Sequence, residues 1–175
     1  MRAALLIGAL AVAGLASWPG VSPWVAAPGR HDAAQDARVG RGGRVYAAEC
    51  ASCHGASGEG QPGWERPGAD GMLPAPPHDA TGHTWQHSDE QLRAWVLQGP
   101  VGGGAPAGYR SAMPAYAGRL TGGQVDDVIA WMKSRWPPGV RAWQAAQNPD
   151  GAPMESLPGD WRFPVTCKPG WGAGG

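Results

Sequence analysis

Two thiols and an imidazole stand together in Cys50-Ala51-Ser52-Cys53-His54, the densest concentration of reactive side chains in the 175-residue sequence. Thiols three positions apart can each add to one vinyl group of a porphyrin. A histidine directly after them then lies beneath the ring, where its imidazole takes the fifth coordination position of iron. The string reads as an attachment site for one covalent haem c, with Cys50 and Cys53 as thioether donors and His54 as an axial ligand. A thioredoxin-like dithiol would need a βαβ pattern and a zinc knuckle a second C-x-x-C, and the sequence has neither. The third cysteine, Cys167, is then without a partner in the chain, so in an oxidising compartment it is free or intermolecular.

Short helices have to hold these groups. Residues 40–49 read as one, leading into the first cysteine. Ser88 with Gln91, and Thr121 with Gln124, both fit the capping box, in which each side chain satisfies a free backbone N–H at a helix start. Leu92, Trp95 and Val96 follow the first cap at i, i+3, i+4. Val125, Val128, Ile129 and Met132 follow the second at i, i+3, i+4, i+7, so each helix carries one apolar stripe. Gly99-Pro100 is expected to end the first and Pro137-Pro138 the second. The stretches between Gly55 and Gly82 and between Gly99 and Gly118 read as loop, and no run alternates with period two. A short helix around Val140 to Ala146 is the most the segment beyond Pro137 is expected to hold.

Composition limits what such helices can bury. There are 29 Gly and 18 Pro, which puts the chain at the edge of low complexity. From Arg30 onward only 14 residues are Leu, Ile or Val, too few to fill an ordinary core of this length. Eight of the ten Trp lie in the same stretch, so the core is expected to be aromatic, with a porphyrin supplying the missing apolar volume. Fourteen basic residues balance fourteen acidic ones without a clustered basic face, which argues against a nucleic-acid partner.

The N-terminus carries an export pattern. Arg2 leads the uncharged run from Ala3 to Ala16, and no further charge appears before Arg30. Residues 1–27 are expected to be a signal peptide or an N-terminal anchor. As a helix, Ala3 to Trp18 would rise about 24 Å against a hydrocarbon core of roughly 30 Å, which favours cleavage. The organisation expected from all this is that segment, a linker over 28–39, a haem domain over 40–136 and an extended tail over 137–175. The location is periplasmic, with a membrane contact only if the segment is retained as an inner-membrane anchor.

Residues 40–136 resemble the small class I, mono-haem c-type cytochromes of the exported bacterial type. That resemblance implies an all-α fold of three to four helices wrapped around one haem. It also implies electron transfer between a redox donor and a redox acceptor, rather than enzyme chemistry. In that family a glycine about eight residues and an aromatic about four residues before the first cysteine lie on the approach helix, and Gly42, Gly43 and Tyr46 match. An aromatic of the last helix packs across that glycine, and Trp131 matches. Met113, followed by Pro114 in the loop before the last helix, matches the family's axial methionine. A proline carbonyl after the motif orients the haem histidine, for which Pro74 and Pro76 are candidates. Tyr46, Trp85, Trp95, Tyr109, Arg110 and Trp131 are candidates for the pocket wall or for a propionate contact.

His78, His83 and His87 fall within ten residues and depart from a plain carrier. Imidazole suits copper and zinc, so the three form a candidate second metal site. They leave open a metal-handling or sensor protein as the alternative function. A cytochrome subunit of a larger oxidase or dehydrogenase is a further alternative.

Overall fold

Five helices, one 3-10 turn and connecting loops make up the computed structural model over residues 32–150. The segment read as signal or anchor and the tail from residue 151, with Met154 and Cys167, lie outside the described residues. Within them no helix is long and apolar enough to cross a membrane, and the only β pairing is two isolated bridges, Leu73 with Ser111 and Ala117 with Leu120. The fold is all-α.

Helix α1 spans Ala33–Glu49 and starts where the Asp32 carboxylate accepts from the Ala34 N–H at 3.0 Å. The start expected at 40 and the linker expected to 39 are corrected: a capped run of Ala, Gln and Arg joins the helix directly. Its far end is closed from outside, by the Tyr116 hydroxyl donating to the Glu49 carbonyl at 2.7 Å. Helix α2, Ala51–His54, follows after the single residue Cys50.

Helix α4, Gly122–Ser134, has the complete Thr121–Gln124 capping box and buries Val125, Val128, Ile129 and Met132. It packs on α1 at Gly42 and Gly43, where the absence of a side chain lets the Gly42 backbone touch the backbone of Asp127. Trp131 lies across Gly43 and stacks on Tyr46, with ring centroids 3.9 Å apart.

Helix α3 covers Asp89–Gly102. Ser88 caps it by accepting from the Gln91 N–H, but the Gln91 carboxamide does not return the bond. Its oxygen accepts from His87 Nδ1 at 3.0 Å, so this box is half made. The regular helix ends at Gly99, as its Gly-Pro pair implies: Gly99 stands at φ 73°, ψ 161°, outside helical geometry, and the turn from Pro100 to Gly102 continues beyond that break. Pro100 has no N–H to give the Val96 carbonyl, and the break at Gly99 frees the next one. Both are taken by the following loop, Tyr116 N–H donating to Val96 at 3.0 Å and Ala117 N–H to Leu97 at 2.9 Å.

The short helix expected around Val140 to Ala146 is present. Helix α5, Pro138–Ala145, buries Val140 and Gln144 against the body and packs on the 3-10 turn Thr84–Gln86. Gln144 Nε2 donates to the His87 carbonyl at 3.0 Å and to Asp89 at 2.6 Å. Val140 joins the core, and the Trp143 ring meets Trp85 edge-on at 5.2 Å. The core is aromatic, with Tyr46, Trp85 and Trp136 almost fully buried.

Candidate functional site

Helix α2 is one turn long, so it presents Cys50, Cys53 and His54 together on the wall of a cavity of about 1770 Å³. Drug-sized ligand pockets occupy roughly 300–1,000 Å³, so this space suits a large, flat prosthetic group. The two cysteines form no disulfide, and burial pushes the Cys50 thiol up to about 11, so it is protonated at neutral pH.

His54 is 6 % exposed, and its Nδ1 lies 2.8 Å from the Pro76 carbonyl. A carbonyl only accepts, so Nδ1 carries the proton and Nε2 keeps its lone pair, the tautomer that can bind a metal. Burial lowers the His54 pKa, partly offset by the Pro76 bond, so the ring is neutral at pH 7. Of the two candidate carbonyls Pro76 makes this contact, while Pro74 lies on the cavity wall. The Tyr46 hydroxyl donates to the Gly55 carbonyl at 3.0 Å and pins the residue directly after His54.

Met113 lines the same cavity. Its loop is held on one side by the kink of α3 and on the other by Leu73 N–H, which donates to the Arg110 carbonyl at 2.9 Å. Two further methionines, Met72 and Met132, also reach the wall; Met132 does so from the buried stripe of α4.

Among the other sequence candidates, Tyr46, Trp95 and Tyr109 lie on the wall. Trp85 and Trp131 do not. Trp85 is fully buried and donates to the Gly82 carbonyl at 2.9 Å, and Trp131 belongs to the α1–α4 contact. Arg110 is exposed, with its guanidinium over Gly71.

The second metal site has no geometric support. Among the described residues no group of three or more His, Cys, Asp or Glu could hold an ion. His78 stacks on His54 with centroids 4.0 Å apart and bonds Thr84 Oγ1 through Nδ1 at 2.9 Å. His83 stacks on Trp64, and His87 bonds Gln91. All three line the large cavity instead. Sequence reasoning missed Tyr116 and Trp143 as wall residues, because nothing local in their spacing marks them.

The site fits a haem on two counts: the size of the space, and the paired thiols beside a histidine in the metal-binding tautomer. Neither the curated proteins nor the solved structures contain a match to this chain. The family model for cytochrome c does match it, over residues 39–136, and with the thiols, imidazole and cavity on one helix turn the chain belongs to the cytochrome c family.

Proposed function

We propose that this protein shuttles single electrons between two redox proteins outside the cytoplasm, with iron held between His54 and Met113. A covalently bound haem c supplies the redox chemistry, and a haem-based electron-transfer role is common to the family. The residues do the rest. Cys50 and Cys53 would fix the group, and His54 is held neutral by burial and oriented by the Pro76 carbonyl. The Met113 thioether favours ferrous iron and raises the potential above that of a bis-histidine site.

The observation that carries this reading is the fixed His54 tautomer on the same cavity wall as a methionine whose loop is stitched to α3. A neutral overall charge implies modest salt dependence of partner docking.

Exchanging the methionines tests it. Met113→Leu is expected to abolish the weak long-wavelength band of iron–sulfur ligation in the oxidised protein and to open the reduced protein to carbon monoxide, while Met72→Leu keeps the band. The reverse result would assign the ligand to Met72. Ready carbon monoxide binding by the unaltered protein at neutral pH would overturn the carrier reading.

A further inference from the structure

We propose that His78 is a positioning residue for the axial imidazole: its ring, stacked on that of His54, fixes the plane in which His54 meets the iron. This rests on the reading above that His54 binds a haem iron. The two rings lie 24° from parallel with centroids 4.0 Å apart, so the face of one bears on the face of the other. Burial lowers the pKa of both, so two neutral rings meet and no charge repulsion opposes the stack.

One hydrogen bond does not set that plane. The Pro76 carbonyl holds His54 at a single edge atom, Nδ1, at 2.8 Å. A carbonyl oxygen accepts over a broad range of directions, so the ring can still roll about that contact. A second flat ring against its face stops the roll. His78 lies two residues beyond Pro76, so one short stretch of loop holds His54 by edge and by face. Groups that fix the orientation of a metal-binding histidine in this way tune the metal it binds.

His78 is itself anchored along backbone and side chain. Its N–H donates to the Gly58 carbonyl at 2.7 Å, and its carbonyl accepts from Trp136 Nε1 at 2.8 Å. The Pro77 carbonyl can only accept, so the single Thr84 hydroxyl hydrogen goes there, at 3.1 Å. Thr84 Oγ1 therefore accepts from His78 Nδ1–H at 2.9 Å. Thr84 and Trp136 are both buried, so water does not compete for these bonds. The Tyr46 ring meets His78 edge-on with centroids 6.2 Å apart. An aliphatic side chain at this position would fill space, but it has no flat face for His54 and no donor for Thr84.

Proton resonances of the haem methyl groups in the oxidised holoprotein follow the orientation of the axial ligands through the spread of their paramagnetic shifts. His78→Ala is expected to change that spread, and Thr84→Val to move it in the same direction by loosening the ring. His78→Phe keeps a flat face against His54 and is expected to restore the wild-type pattern. The long-wavelength iron–sulfur band is recorded on the same samples, and it stays in all three variants. Failure of the carrier reading shows in the unaltered protein, as a missing iron–sulfur band, whereas failure of this proposal shows only in the variants. An unchanged methyl pattern in His78→Ala overturns it, as does a His78→Phe protein that behaves like His78→Ala. Should His78→Ala fail to mature with haem, Thr84→Val keeps the ring and removes its anchor, and an unchanged pattern there overturns the proposal by itself.

Discussion

The Cα of Gly42 in α1 faces the Asp127 carbonyl in α4 so closely that a Cβ built on it would stand 1.8 Å from that oxygen. Backbone cannot yield as a flexible side chain would, so any side chain here drives the two helices apart. Gly42→Ala is expected to cost on the order of 1–3 kcal/mol or more through overpacking. A thermal melt of the holoprotein checks this, at roughly 4–8 °C for each kcal/mol. Gly43→Ala meets the Trp131 ring instead, at 2.9 Å, and a ring that can shift makes the smaller loss.

Gly99 holds a backbone conformation, φ 73° and ψ 161°, that is essentially confined to glycine. Gly99→Ala is expected to cost roughly 1–3 kcal/mol of strain. Straightening the helix would withdraw the Val96 and Leu97 carbonyls from Tyr116 and Ala117, the bonds that anchor the loop carrying Met113. A weakened iron–sulfur band with the haem still covalently attached is the expected result. An intact band at full strength would show that the kink does not position Met113.

Asp127 accepts from Arg41 at 2.7 and 3.2 Å and lies 3.5 Å from Arg38. The Arg41 hydrogen bonds hold its carboxyl below the usual range. A carboxyl lowered in the folded state adds stability above its unfolded value, about 3.9, and loses it as pH falls through the folded value. Wild type is therefore expected to lose stability more steeply than Asp127→Asn below about pH 4. Arg41 is half exposed, so the difference is small and shrinks further with added salt. Paired melts across that range, at low and high salt, check both points.

Removal of the haem is expected to remove the fold. Its pocket of about 1770 Å³ is bounded by α2, α3, α4 and the loops between them, and few aliphatic residues remain to collapse into it. Ligand binding to the folded state alone stabilises that state. Apoprotein prepared without haem should show no cooperative melt near that of the holoprotein, measured by far-ultraviolet circular dichroism.

What sequence alone determined is chemistry that local spacing encodes. Cys50, Cys53 and His54 fall within five consecutive positions, and the Thr121 cap with its apolar stripe is a helix start readable within twelve residues. The glycines at 42 and 43 and Trp131 were legible through family resemblance, because close helix contact demands a residue without a side chain. Tertiary structure decided the rest, since each remaining outcome depends on partners far away in the chain. Pro76 rather than Pro74 orients His54 because only the folded loop brings one carbonyl to 2.8 Å. Trp85 and Trp131 pack away from the pocket, and α5 joins the body, because aromatic docking across distant segments outweighs weak local signals. The three histidines that resemble a metal set in sequence all lie on the cavity wall, but His78 stacks on His54 and the set forms no metal cluster among the described residues. Nearness in sequence does not fix the direction in which a loop side chain points, and long-range packing does.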